Sequence, residues 1–561
     1  MTTWSQAARD LRDRDPILFP SLFVLIVAFY AAYWSRQGLA IEDSGFVLSL
    51  SWRIWNGQVP FRDFVYIRPD VSPYLHAVTF AFGNYAVMAD RWLTVGQIAV
   101  SALATTSVTL GYLRGRDDHA LFWSGACCAF VIGAHNFPLY GWHTVDGVFF
   151  ATLGFFFMDR RRFLLAGVAF MLAGLCKQNF MVVPVFALAA TLAVRPRDVV
   201  GLALGMVLIL LGWLGLLLLH GALAPMAQQI FSGATTVGDV WSAGVLMYLQ
   251  NMMLPAVWKS AAGALVVGAA LSYVAGIRNG LYGGYAAFLT FGVLSFGWSA
   301  YVKVQQDPTY HFSVGTFWFS SAAFVVCSLL VLGVVALRVR RAGPAALPEI
   351  SRAVPTLGML LTAWSASISW GYPIPAPPVV LVAPIFLVRD RLVAVLGLMV
   401  TTAAGLLAFG YALSYAFGES TRVDLLEDVP PELSRAAGMR TSRATAERLR
   451  ELKMLADKYG KDRLAILPSF PVAYPIVDVN PQAPMDTLTD AEIPPARRAT
   501  LERDFCRKQL VAAVDMDIFN FMPPGSRFFS TPTRQVLDRW IVKDQTKHFK
   551  VLAPPASCEA P

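Results

Sequence analysis

Two carboxylates side by side, Glu42 and Asp43, open the stretch IEDSGFVLSLSWRIWNGQVPFRDF (residues 41–64), directly after a strongly apolar run. Ser44 suits the N-cap of the helix that follows, and Gly57 suits its stop. The dipole of such a helix favours an ionised carboxylate at its N-terminus. An ionised carboxylate held at a membrane surface is equipped to act as general base on a hydroxyl. The same residues also make a plain cap with a solvated charge beside it, and the local pattern allows both. Between cap and stop, Phe46, Val47, Leu50 and Ile54 fall at helical spacing, flanked by Trp52 and Trp55. With Ser49, Ser51, Arg53 and Asn56 at the polar positions, this predicts an amphipathic helix lying at headgroup level.

Further candidates follow along the chain. Pro60, Pro69 and Pro73 stiffen a segment studded with Arg62, Asp63, Tyr66, Arg68 and Asp70. Arg68 is of the type that grips phosphate bidentately, while Arg62 has Asp63 or Asp70 available for an internal pair. Asp63 joins Glu42 as an alternative to Asp43 for the base. Lys177, in GLCKQNF (174–180), is a lone cation between two apolar segments. Such a lysine needs a partner, a watery cavity or an interface to snorkel to, and a lipid-borne phosphate is one such partner. Lys303, Tyr310 and His311, in SAYVKVQQDPTYHFS, are placed to clamp the same phosphate or to form an ordinary solvated loop. His143 and Asp146 stand nearly one turn apart where an apolar segment begins. They fit a divalent metal ion, a hydrogen-bonded pair or an acceptor-binding element.

These residues must be positioned by membrane helices. The chain of 561 residues is 56% hydrophobic and only 15% charged, which makes the bilayer its expected solvent. About 13 segments approach the length of a span, at 17–35, 88–112, 119–134, 144–158, 162–176, 179–194, 199–220, 259–277, 281–298, 314–337, 353–370, 379–388 and 392–416. With a cytoplasmic N-terminus, the basic runs at 114–116, 160–162, 195–197, 338–341 and 389–391, together with Arg278, all fall inside. The net charge of +9 is then a topological signature that calls for no nucleic-acid partner. No cleavable signal is expected, because 1–15 is charged and leads into a full span.

This orientation gathers the polar material outside. The longest outer loop is 36–87, and His76, His135, His143, His220 and His311 lie at or near outer ends of spans. Residues 1–417 form the membrane domain and 418–561 an exported, charged and Pro-rich domain. In the latter, 441–460 and the stretch AEIPPARRATLERDFCRKQLVAAVD read as helices, while 463–468 and 518–523 read as strands. Cys506 and Cys558 fall in this tail, where an oxidising compartment permits pairing. The fold class is thus a polytopic α-helical membrane protein with a small C-terminal α/β periplasmic domain.

The run from Asp43-Ser-Gly through an aromatic helix to NGQVPFRDF and on to YL resembles the first outer loop of GT-C glycosyltransferases. The branch it is similar to contains the protein O-mannosyltransferases and the lipid A aminoarabinose transferase. The alignment on PFRDF places the catalytic Asp of that family on Asp43, with Ser44 where the family often has Glu. GLCKQNF and GYPIPAPP (371–378) resemble further elements of the same branch. The resemblance implies a GT-C arrangement of spans and a monomeric enzyme of the bacterial inner membrane. It implies a polyprenyl-phosphate sugar as donor and a lipid, glycan or protein hydroxyl as acceptor. It gives Asp43 the role of base, with Lys177, Arg68 and Lys303 on the donor phosphate. No cofactor follows beyond the divalent metal considered for His143 and Asp146. A flippase or transporter predicts broken, charged helices at mid-membrane and inverted repeats, and a non-catalytic scaffold predicts that Asp43 is dispensable.

Overall fold

Apolar helices dominate the chain. The computed structural model describes residues 2–39, 45–136, 139–231, 245–246, 248–250, 252–253, 255–306, 317–368, 382–412, 419, 422–488, 500–517 and 537–555. The side chains of 2–16, 136, 256, 275, 278, 295–306, 317–323, 345 and 408–412 are excepted. Helix α1 is Thr2–Ala32. In the first loop lie α2, Phe46–Trp55, and α3, Val71–Ala77. A hairpin of helices follows: α4 (Ala86–Leu113), α5 (His119–Asn136) and α6 (His143–Asp159). Next come α7 (Phe163–Cys176), α8 (Val182–Val194), α9 (Val199–Leu219) and α10 (Leu223–Phe231). The second half contributes α11 (Pro255–Ala275), α12 (Ile277–Gln306), α13 (Phe317–Ala342), α14 (Ala346–Ile368) and α15 (Arg391–Ala412).

Among the described residues four helical stretches are long and apolar enough to cross a bilayer unaided: Ile17–Arg36, Val71–Leu113, Pro196–Leu219 and Val257–Val274. Of the expected spans, 379–388 departs from expectation. Its described part holds only a five-residue 3-10 turn, Ala383–Leu387, with Pro384 at its start. At about 2 Å per residue such a turn cannot cross a bilayer. Helices α7 and α8, 14 and 13 residues long, rise only about 1.5 Å per residue. Each is therefore shorter than a span, and the chain between them is extended at Lys177 (φ −160°, ψ 141°).

Beyond residue 418 the periodicity changes. Helix α16 (Arg443–Tyr459) is capped by Ser442, whose hydroxyl accepts from Thr445 N, and the chain leaves it through Gly460 at φ +95°. The strands are β1 (Glu427–Asp428), β2 (Arg440–Thr441) and β3 (Leu464–Leu467), with the short helix α17 (Ala473–Ile476) after them. Helix α18 covers only Leu501–Arg507. The VAAVD expected to continue it is instead strand β4, Val511–Asp515, followed by β5 (Ile541–Gln545) and β6 (Phe549–Ala553). Gln509, at φ +50°, breaks the helix, and Val511–Asp515 pairs with β3 on one side and β6 on the other. The sheet runs β3-β4-β6-β5, with only the β3–β4 pair parallel. Residues 518–523 lie outside the described residues, as does Cys558. Cys506 is disulfide-bonded, whereas Cys127, Cys128, Cys176 and Cys327 are free.

This C-terminal segment is packed onto the first loop. Leu39, Leu48, Trp52, Phe80 and Met88 share one apolar core with Leu449, Leu464, Phe470, Tyr474 and Val477. The opposite side of the loop, Val59, Phe61, Phe64 and Tyr66, packs on Leu217, Ala222 and Met226 of the α9–α10 corner. Helix α2 is covered by protein along most of its length: Val47 through Arg53 are all buried. Its polar face meets protein groups instead of headgroups. Trp52 Nε1 donates to Val479 O at 2.7 Å, and Arg53 donates to Asp486 and to Ala483 O. Asn56 and Gly57, the latter at φ +82°, end the helix where expected.

Candidate functional site

Glu42, Asp43 and Ser44 lie outside the described residues, but both flanks of 40–44 are fixed. On one side Arg91, wholly inside the protein, donates to the carbonyls of Ser35, Gln37 and Gly38. Leu39 N donates to the buried carboxylate of Glu419. On the other side Gly45 touches the C-terminal segment so closely that a Cβ there would fall 1.9 Å from Val472 N. Only glycine allows that approach.

Immediately after Gly45, Phe46 brings three of the expected residues together. The Arg68 guanidinium lies over its ring, 5.2 Å from the centroid. The His143 ring stands edge-on to it at 6.2 Å. Arg68 and Lys177 both act electrostatically on His143. Lys177 Nζ donates to Thr144 Oγ1 at 3.2 Å. The residues around Lys177 explain how it is held: Gln178 donates to Ile67 O, beside Arg68, and Ser365 Oγ of α14 donates to Asn179 O at 2.5 Å. Arg68 and Lys177, on separate elements, thus both lie near His143, Arg68 by way of the Phe46 ring and Lys177 beside Thr144.

Beneath them is a buried polar layer. His76 Nδ1 is 2.6 Å from Asp90 Oδ1, and its Nε2 is 3.1 Å from Asp146 Oδ1. Gln97 Nε2 also donates to Asp146 Oδ1, at 2.6 Å, and Gly141 N donates to Asp90 Oδ2 at 2.9 Å. A Cβ on Gly141 would fall 2.6 Å from Asp90 Oδ1, so glycine is what lets the 139–142 turn close on this layer. His143 Nδ1, Asp146 Oδ2 and Gln97 Oε1 have no hydrogen-bond partner among the described residues. Buried polar atoms are rarely left so, and two of them are acceptors suited to hydroxyls. Asp146 is engaged through Oδ1 by His76 and Gln97. Among the described residues there is no group of three or more His, Cys, Asp or Glu side chains arranged to hold a metal ion.

Sequence reasoning singled out His76 and Asp146 separately but missed Asp90, Gln97 and the layer they form. A signal for Asp90 was MADRWL at the start of α4, where Asp90 and Arg91 interrupt an apolar span, a position that demands partners.

The remaining candidates fall elsewhere. Asp63 accepts from Arg62 Nε at 2.9 Å and from Val59 N at 2.7 Å. The Arg62 hydrogen bond holds its carboxyl below the usual range. The pair borders a cavity of about 410 Å³ shared with Gln482, Pro484, Arg507 and Lys508 of the C-terminal segment. Tyr310 and His311 lie outside the described residues. Lys303 is in α12, and its side chain is likewise outside them.

A separate cleft of about 450 Å³ runs between α3, α7 and α9, lined by Leu75, Leu175, Leu208, Leu216 and Trp213, with Asp70 at its edge. Trp213 Nε1 donates to Asp70 at 2.5 Å. Burial pushes the Asp70 carboxyl up to about 6, and the Trp213 bond only partly opposes this. Because the folded value is the higher one, ionisation of Asp70 opposes folding. The contribution of this group to stability is full below its unfolded value of 3.8 and is lost as pH rises through about 6. Asp70→Asn keeps an acceptor for Trp213 and removes the buried charge. In thermal unfolding it is expected to exceed the parent at pH 8, by roughly 3 kcal/mol at most, and to match it only at about pH 3. Equal or lower stability at pH 8 would contradict this.

No protein-family model matches the chain, and no curated protein matches it. Among solved structures it is similar to ArnT from Cupriavidus metallidurans in the apo state, with a TM-score of 0.43 and 13% identity, covering 97% of this chain and 98% of that one. It is similar also to the same protein bound to undecaprenyl phosphate, with a TM-score of 0.42 and 13% identity, covering 97% of this chain and 99% of that one.

Proposed function

We propose that this protein is an inverting glycosyltransferase of the bacterial inner membrane, moving a monosaccharide from a polyprenyl-phosphate carrier to an acceptor hydroxyl on the outer face. The observation that supports it most is the gathering of Arg68 and Lys177 about His143, with Phe46, three residues after Asp43, set between Arg68 and the His143 ring. Asp43 takes the proton of an acceptor hydroxyl as its oxygen attacks the anomeric carbon. The bond from that carbon to the phosphate oxygen breaks on the opposite side, which inverts the centre. Arg68 and Lys177 take up the charge of the departing lipid phosphate. Asp146 Oδ2 and Gln97 Oε1 offer acceptors to sugar hydroxyls. The apolar cleft reaches Leu175, two residues from Lys177, and suits the polyprenyl chain. In this reading 1–417 is the catalytic membrane domain with its N-terminus cytoplasmic, 418–561 is a periplasmic domain over the first loop, and a single chain suffices.

The test is a panel of synthetic polyprenyl-phosphate sugars offered to purified protein with membrane-extract acceptors. Release of polyprenyl phosphate with one sugar is expected, and no release with any donor would overturn the reading. Lys177→Met is expected to lower kcat/KM for the donor about 10- to 100-fold, the worth of one charge-assisted phosphate contact. An unchanged kcat/KM would remove Lys177 from the phosphate site.

A further inference from the structure

At the end of the bundle opposite the first loop, the chain ends of α4, α6, α8, α13 and α14 enclose a cavity of about 440 Å³. Its lining contains five guanidinium groups, Arg116, Arg161, Arg195, Arg338 and Arg352, against two carboxylates, Asp159 and Glu349. Helix C-termini meeting here attract arginine for their own sake. That accounts for Arg338, which donates to Tyr112 O at 2.6 Å and Leu113 O at 2.7 Å. It also accounts in part for Arg195, whose Nε donates to Ser351 Oγ at 2.6 Å. Arg116 pairs with Asp159.

The side chains of the other two bond to no helix-end carbonyl among the described residues. Arg352 is 74% exposed and only loosely paired with Glu349, at 3.9 Å. Arg161 is exposed and makes no side-chain hydrogen bond or ion pair among the described residues. It stands at φ +58° just past the end of α6, a left-handed position that ordinarily falls to glycine. The lining also includes the apolar side chains Met158, Phe163, Val194 and Val354. Beside it Leu164, Leu165, Leu192 and Val200 present exposed apolar side chains along the adjoining helices. A cationic rim above an apolar wall is the shape of a phospholipid site rather than of a site for a soluble anion.

We infer that this cavity binds the phosphodiester headgroup of an anionic phospholipid, with its acyl chains running down α7, α8 and α9. In the orientation given by the basic loops the lipid belongs to the inner leaflet, where basic pockets between helices collect anionic headgroups. The guanidinium fork of Arg161 and the remaining N–H groups of Arg195 and Arg116 supply the phosphate contacts. This site is separate from the one proposed for transfer and does not depend on it.

The test is native mass spectrometry of the full chain in detergent, titrated with phosphatidylglycerol and with phosphatidylcholine, alongside thermal unfolding with each lipid. Retention and stabilisation are expected with phosphatidylglycerol, and about tenfold weaker binding after Arg161→Gln with Arg352→Gln. Both are surface side chains, so the variant should fold. Arg340→Gln with Arg341→Gln removes two exposed arginines of α13 that do not line the cavity, and should bind as the parent does. Equal loss in that control would mean diffuse surface charge and overturn the site. Stabilisation by inorganic phosphate alone, equal to that by phosphatidylglycerol, would assign the cavity to a soluble phosphate and overturn the lipid. No preference for phosphatidylglycerol over phosphatidylcholine would also overturn it.

Discussion

Asp43→Asn is expected to lose transfer by about 10²- to 10⁴-fold, the usual worth of a general base, while the purified protein melts at the parent temperature. The substitution preserves size and removes only the ability to accept a proton. The flanks of 40–44 are anchored by groups other than Asp43, so the parent melting temperature is the expected result. Arg91 holds the carbonyls of 35–38, Glu419 takes Leu39 N, and Gly45 abuts the backbone of Val472. The measurement is release of polyprenyl phosphate from the active donor, read beside thermal unfolding of the same preparation. A parent rate would move the base to Glu42, since both oxygens of Asp63 already accept from Arg62 and Val59. A scaffold protein would show no change in any cellular phenotype on this substitution.

What the sequence disclosed followed the range of the forces involved. Lys177 stood out because a lone cation in an apolar run is costly whatever surrounds it, and it does lie with Arg68 and His143. The helix at 46–55 and its stop at Gly57 were likewise local matters of spacing and backbone freedom. The environment of that helix was not. Amphipathic spacing says which face is polar, without saying whether headgroups or protein will satisfy it. Here the satisfying groups, Val479 and Asp486, lie 427 and 433 residues downstream. The His76–Asp90–Asp146 layer was hidden for the same reason: His76 and Asp146 were legible singly, but the three residues come from different helices and nothing local joins them. The strand at Val511–Asp515 was misread because a short apolar run after a helix carries no period of its own. Its sheet neighbours, not its sequence, make it a strand.

The second large effect is expected at the joint between the first loop and the C-terminal segment. Arg53 is wholly buried and Asp486 nearly so. The guanidinium donates to Asp486 through Nε at 2.8 Å and through an Nη, to Ala483 O at 2.8 Å and to Gln58 Oε1 at 3.0 Å. Asp486→Ala leaves this cation inside the protein without its counter-charge and should cost roughly 3–5 kcal/mol. The loss should appear as a lower melting temperature and as faster proteolysis of 422–555 in detergent. Transfer should fall with it, because the element pulled loose is the one against which Gly45 rests. Replacing both partners, Arg53→Met with Asp486→Leu, removes the uncompensated charge and should restore most of the stability. The double variant thereby separates the pair's electrostatics from mere packing. A single Asp486→Ala variant as stable as the parent would mean that the C-terminal segment is held by its apolar core alone. The arginine would then be satisfied by water together with the Gln58 and Ala483 acceptors it already has.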